Sequence, residues 1–466
     1  MILSQAVGNL IAFGFYAILL VVLAGQAFTW NENRTRFYLA GRSLGLRSSL
    51  STFCATWMSA ASLVGYTLWF YRDGYVAFTG SVNGWMLGLL ALPFAVTRLR
   101  KSRALSLPEW LATEYGDPRL RTIGASALLL AYTFYIVTQF QAFGGIVSHM
   151  LDIPSWVASL LVYLFVLYTT FGGLASVASS DEMNLALILV GVTVPAAYML
   201  WRLGTPRELH HAFAALGPVL MRPFGSESPA FIFPMMLAWG LGVAANPQYA
   251  IRIMSAGSRR TAYLMLILTP LIVGWIYVCL TLTGMGGRVL LPSLTGPGDD
   301  AAFSTLITAI LPPLPAMLLL VAVLAAAVST ANSQLLLAAC SWCYDLPFRN
   351  RTLHRGDFGS EELFLVRNRV AIGAIASLCL CISQFPLPGI LSLGRYSWTV
   401  VALCFFLPMY LPERYRRRRL FMAVLVALAM HHTLLFLLPF PAEITMLPSL
   451  LLELAVLLAG PDRPQG

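Results

Sequence analysis

Apolar residues run along this chain in long blocks, separated by short basic or turn-rich pieces. About 20 apolar residues wound as a helix cover the ~30 Å of hydrocarbon in a bilayer. That rule predicts membrane helices near 8–28, 48–70, 78–97, 123–150, 153–172, 183–203, 229–254, 262–284, 313–345, 369–385, 388–411, 420–440 and 443–459, thirteen in all. The N-terminal MILSQAVGNL carries no Lys or Arg and leads into a long apolar run, the pattern of a first membrane helix rather than of a cleaved leader. The larger pieces between spans, 99–122, 203–228, 285–312 and 346–368, are each under 30 residues, so the membrane part is expected to carry the whole function. Within 285–312, GPGDDAAFSTLITAIL reads as a short amphipathic helix over an outer vestibule.

Three spans hold polar interruptions: CATWMSAAS (54–62), AWGLGVAANPQ (238–248) and VSTANSQ (328–334). Pro247 removes a backbone donor and the glycines around it loosen the helix, so unwinding there has a local cause. Ser329, Thr330, Asn332, Ser333 and Gln334 crowd a segment otherwise suited to hydrocarbon. Such a cluster either bonds neighbouring helices or faces a ligand or ion. Interrupted helices in matching positions of two halves mark a transporter site at the membrane midplane. The second and seventh spans accordingly open two predicted five-helix halves, 48–203 and 229–411. Residues 1–47 form an accessory helix and loop, 204–228 a connection, and 412–466 two accessory helices and a tail.

Composition agrees: 58% of residues are hydrophobic, 11% are charged, and the mean hydropathy is +0.75. Soluble domains carry about 25% charged residues. The net charge of +10 sits in clusters between spans, which suits anionic lipid rather than nucleic acid. With the N-terminus outside, 24 of the 30 basic residues, Arg252 among them, fall on the inner side and five on the outer, while Arg395 lies within a span. This bias puts the C-terminus in the cytoplasm. The seven cysteines are scattered, and Cys340 and Cys343 lack the second pair a metal site would need. No HExxH, phosphate loop or nucleophile elbow is present, and no enzyme chemistry is expected. In the last two spans, one of His431 and His432 is expected to hydrogen-bond Glu453, because an unpaired carboxylate at depth is expensive.

The segments FYLAGRSLG (37–45), LSTFCATWMSAAS (50–62), TTFGGLASVASSDEMN (169–184), LAWGLGVAANPQYAIRIMSAGS (237–258) and VLAAAVSTANSQLL (323–336) together resemble the sodium:solute symporter family. The nearest likeness is to its sodium/proline branch. The resemblance implies an all-α membrane protein of about thirteen helices, with a LeuT-type core of two inverted five-helix repeats plus accessory helices. It implies a sodium ion held by the carbonyls of Ala55, Met58 and Ala326 and the hydroxyls of Ser329 and Thr330. Sodium, a hard cation, suits such oxygen ligands. Asp181 matches an acidic position associated with ion passage, although from sequence alone it also fits a helix-start cap. Trp239 and Pro247 are retained from the proline branch, whereas Trp57, Ala60 and Val243 replace an acidic residue, a glycine and a tyrosine. The solute pocket is expected beside Trp57, Ser59, Ala60, Trp239 and Val243, with Tyr135 and Gln139 either lining it or packing helices. Arg395, where the family has a small or polar residue, either meets a solute carboxylate or joins an outer-gate ion pair. The implied function is sodium-driven import of a small organic solute, amino acid-like or a carboxylate, across a bacterial inner membrane. The rival is a transporter-like sensor working with a signalling partner.

Overall fold

The computed structural model describes residues 2–26, 33–293, 301–346, 361–411, 419–438 and 440–459. Eight of the basic residues counted above (Arg349, Arg351, Arg355, Arg414, Arg416, Arg417, Arg418 and Arg463) and the GPGDD at 296–300 lie outside them. The principal helices are α1 (Ile2–Gln26), α2 (Leu46–Trp57), α3 (Tyr66–Asp73), α4 (Asn83–Lys101), α5 (Pro118–Leu151), α6 (Ser155–Phe171), α7 (Gly173–Leu203) and α8 (Pro229–Ala245). They continue with α9 (Pro247–Ser255), α10 (Arg259–Leu290), α11 (Pro313–Cys340), α12 (Glu361–Ser383), α13 (Ile390–Tyr410), α14 (Leu420–Leu437) and α15 (Ala442–Leu458). Ten of the described helical stretches are long and apolar enough to cross a bilayer. Of the thirteen expected spans, 48–70 is interrupted at Met58, and α6 and α15 have 17 residues each.

Burial orders the helices from centre to rim. The apolar window of 313–345 is 78% buried, against 22% for that of 7–26, so α11 is the axis of the bundle and α1 an outer helix. Large side chains such as Phe94, Trp201 and Phe436 are exposed on the outer faces, as lipid contact requires. α11 packs against α5 and α7, and α8 against α4 and α13. The α4–α8 contact depends on small residues: a Cβ at Gly84 would stand 2.2 Å from the Met236 carbonyl oxygen, and one at Gly88 2.3 Å from that of Gly240. Backbones meet this closely only where side chains are missing. Between α6 and α7, Gly173 has φ +66°, and a Cβ there would lie 2.6 Å from the Phe37 carbonyl oxygen. A helix is present at Ala301–Ile310, where the amphipathic one was expected, and its Ser304 and Thr305 line a cavity.

In the accessory hairpin, the expected histidine–Glu453 bond is absent. His431 meets Thr399 (3.2 Å) and Thr445 (3.0 Å), and His432 meets Tyr396 (3.0 Å) and the Leu428 carbonyl (2.8 Å). Both Glu453 carboxylate oxygens are buried with no hydrogen-bond partner among the described residues. The helix ends explain the miss. Glu453 is eleven residues beyond Ala442, whereas His431 is six before Leu437. At ~1.5 Å per residue the two differ in depth by roughly 8 Å.

Candidate ion and solute site

Both expected interruptions are real, and they have different causes. In the seventh span, Asn246 is extended (φ −71°, ψ 123°) because the ring of Pro247 disfavours helix in the residue before it. Pro247 then starts α9, with the Asn246 side chain accepting from the Gln248 amide. The second span breaks without proline or glycine. α2 ends at Trp57, Met58 is extended (φ −78°, ψ 112°), and a π-helical turn over Ala61–Gly65 leads into α3. The carbonyls of the last turn of α2 therefore lack helical amide partners. Hydroxyls take their place. Thr330 donates toward the carbonyls of Met58 (3.1 Å) and Thr56 (3.4 Å), and Ser62 toward that of Trp57 (3.4 Å).

One helix serves both breaks. On α5, Gln139 accepts from the freed amide of Ala60 at 3.0 Å, and the hydroxyl of Tyr132 bridges the Asn246 side chain (2.6 Å) and the Gln248 amide (3.1 Å). Tyr132, Tyr135 and Gln139 lie three and four residues apart, on one helix face. Gln139 therefore caps a helix break rather than lining a pocket, and Pro247 shapes a break rather than contacting the box described below.

The polar cluster on α11 has two jobs. Asn332 accepts from Thr169 (2.7 Å) and Thr170 (3.3 Å), Gln334 donates to Gln248 (3.2 Å), and Ser333 meets Thr56 (3.1 Å) and Arg252. These three fasten helices together. Ser329 and Thr330 differ from them. Thr330 reaches the unwound carbonyls, and the Ser329 hydroxyl, completely buried, faces the Asp181 carboxylate. With Ala55, Met58 and Ala326 completely buried around them, the available donors are hard oxygens, which fits sodium.

Next to this group lies a residue that the sequence reading misplaced. Arg252, counted there as facing the inner solution, is completely buried in α9. Its guanidinium bonds Thr56 (2.8 Å), Thr52 (3.3 Å), Ser333 and the Gln248 carbonyl (3.1 Å), and stands 3.8 Å from Asp181. An arginine close to the end of an apolar run reads as the edge of the membrane. Apart from the Gln248 carbonyl, the oxygens that shelter this one come from other helices, so no local signal could have found them. Asp181 accepts from Thr52 at 2.6 Å, and the side chains of Ser329 and Asn184 also face its carboxylate. It sits well inside α7, which rules out the helix-start cap.

Beyond the break, seven rings from seven helices close a box. Trp57 of α2 stacks on Tyr249 of α9 at 5.0 Å, and Trp85 of α4 on Tyr277 of α10 at 5.1 Å. Trp239 of α8 meets Trp85 edge-on at 5.2 Å, and Trp398 of α13 joins Trp239 (5.8 Å) to Tyr135 of α5 (6.1 Å). Ala61, Ser62 and Val243 complete the wall around a cavity of about 10 Å³, roughly the room for one water. The structure thus joins four expected residues (Trp57, Trp239, Val243 and Tyr135) with four that the sequence reading missed (Trp85, Tyr249, Tyr277 and Trp398). Ser59 is just behind, its hydroxyl 3.0 Å from that of Tyr135, and Ala60 is buried at the break. Arg395 is elsewhere: it pairs with Glu443 at 3.1 Å and lines a separate cavity with Arg72 and Asp73.

Cavities approach this centre from opposite ends. One of about 730 Å³ reaches Val64, past the break, and is walled by polar groups including Gln141, His149 and Ser304. Another, of about 540 Å³, lies at the start of α2, beside Ser48, Ser179 and Glu182.

Comparison with known proteins agrees with this geometry. Residues 37–428 match the description "Sodium:solute symporter family". The sodium/pantothenate symporter of Escherichia coli is 26% identical over 345 residues, 71% of each chain. The sodium/proline symporter of Haemophilus influenzae is 25% identical over 420 residues, 84% of this chain and 80% of that one. Among solved structures, a substrate-bound, outward-open Na+-coupled sialic acid symporter superimposes with a TM-score of 0.79 at 16% identity, covering 99% of this chain and 98% of that one. A nucleobase-cation-symport-1 family transporter in a closed conformation superimposes at 0.60 with 15% identity, covering 92% and 94%. The fold is the LeuT type, and the chain belongs to the sodium:solute symporter family.

Proposed function

We propose that this symporter holds sodium between the α2 break and α11, on the carbonyls of Ala55, Met58 and Ala326 and the hydroxyls of Ser329 and Thr330. As a family member it is a sodium-coupled transporter of a small organic solute and not an enzyme. One observation carries the ion assignment. Thr330 touches the carbonyls of Met58 and Thr56 freed by the break, and the adjacent Ser329 hydroxyl, completely buried, faces the Asp181 carboxylate. Carbonyl, hydroxyl and carboxylate oxygens gathered in this way suit a hard cation.

The solute occupies the aromatic box, which adjoins the ion site through Trp57 and Met58. Ion and solute then close the same break, so each favours the conformation the other binds, and this reciprocity is the coupling. Asp181, Thr52 and the Arg252 guanidinium lie on the side of the break nearer the start of α2 and form the inward ion path. The inner side is the side of the basic clusters, so the N-terminus is outside and the membrane is a bacterial inner membrane. The repeats are 48–203 and 229–411, each opening with a broken helix. The family match favours transport over sensing.

Proteoliposomes test the reading. Solutes are screened for accumulation under an inward sodium gradient, with an equal potassium gradient as control. Accumulation that requires sodium supports symport. Sodium-dependent binding without accumulation would favour the sensor.

A further inference from the structure

The aromatic box has a chemistry that selects among solutes, and the inference drawn from it rests on the box being the solute site. Its wall includes four of the chain's eleven tryptophans and not one Asp, Glu, Lys, Arg or His. A primary ammonium entering it would bring three N–H donors and find few acceptors. The Tyr135 hydroxyl is engaged with Ser59, and those of Ser62 and Tyr277 lie 3.4 Å from each other. A carboxylate alone would find no cation there. Ring faces do attract one kind of charge, a positive one that needs no hydrogen bonds, and they do so most strongly where water is excluded. One donor is also unspent: the indole Nε1 of Trp239 is buried with no hydrogen-bond partner among the described residues.

The geometry points to a quaternary ammonium solute that also carries an oxygen acceptor, the chemistry of choline or of a trimethylated amino acid such as glycine betaine. The trimethylammonium group sits among the ring faces of Trp57, Trp85, Tyr249 and Trp398, and the solute oxygen accepts from Trp239. The closed box, at about 10 Å³, is too small for such a group. Binding therefore separates rings held on different helices, which ties occupancy of the box to movement of the helices that carry the ion carbonyls.

The test compares a cation with a neutral molecule of the same shape. Binding of choline, glycine betaine and 3,3-dimethylbutan-1-ol to the purified wild-type protein is followed by tryptophan fluorescence and by calorimetry, in sodium and in potassium. A desolvated cation–π site predicts that choline binds roughly thirtyfold or more tightly than its uncharged isostere. Trp57→Phe, which keeps a ring face, should bind better than Trp57→Leu, which has none. Trp239→Phe should weaken betaine while barely changing tetramethylammonium, which has no oxygen. Equal affinity for choline and its isostere overturns the proposal, and this comparison needs no variant to fold. Sodium-driven uptake of L-proline or pantothenate by a protein that binds neither choline nor betaine also overturns it, while leaving the symport reading intact. Choline binding indifferent to sodium would support the cation box and count against the symport reading instead.

Discussion

Gln139→Leu removes the one side chain that receives the Ala60 amide at the α2 break and changes little in volume. In the wild type that bond is 3.0 Å long and completely buried. A buried N–H left unsatisfied costs about 1–3 kcal/mol. The penalty falls on the closed arrangement of Met58–Ala60, the same arrangement that presents the Met58 carbonyl to the ion. If sodium binds that arrangement, apparent sodium affinity should weaken by a factor between about 5 and 150. Gln139→Glu keeps an acceptor at the same reach and should stay closer to wild type. The assay is sodium-titrated binding or uptake in proteoliposomes, normalised to folded protein by size-exclusion chromatography. A Gln139→Leu protein that folds and shows the wild-type sodium half-saturation would refute the idea that α5 sets the ion carbonyls.

Other substitutions probe separate parts of the account. Gly88→Ala would put a methyl 2.3 Å from the Gly240 carbonyl oxygen, so the yield of folded protein and its melting temperature should both fall. Arg395→Gln should leave solute affinity within about twofold, because Arg395 pairs with Glu443 away from the box; a tenfold loss with transport intact would restore it as a solute contact. Asp181→Asn keeps the Thr52 contact but removes the charge facing Arg252, and should slow sodium-driven turnover more than it weakens solute binding. Unchanged turnover would remove Asp181 from the ion path.

The spans, the break at Asn246 and the polar stripe on α11 were legible because each is written locally, in apolar length, in Pro247 and in VSTANSQ. The break at Met58 was placed by resemblance rather than by local physics, since nothing at 58–59 forbids helix, and its stabilisers, Gln139 and Thr330, come from elsewhere. The aromatic box was half legible. Trp57 and Trp239 sit within quoted motifs, whereas Trp85 and Tyr277 are single rings on ordinary apolar helices that only the packing brings together. Arg252 shows the same limit from the polar side: its partners Thr52, Thr56 and Ser333 lie some 80 to 200 residues away. Ser333 bonds Thr56 and Arg252, so Ser333→Ala does not leave the site untouched.

Ser176 is the better control, a buried hydroxyl that donates to the Ala24 carbonyl at 2.8 Å, between α7 and α1 and outside the ion cage. Losing an interhelical bond of this kind costs about 0.6 kcal/mol on average and affects folding alone. Ser329→Ala and Thr330→Ala are then compared with Ser176→Ala and wild type by solute binding across a sodium titration. The account predicts that both site variants need several-fold more sodium, with solute affinity recovering as sodium is raised, while Ser176→Ala follows the wild type. Identical sodium dependence in all four proteins would contradict the ion site.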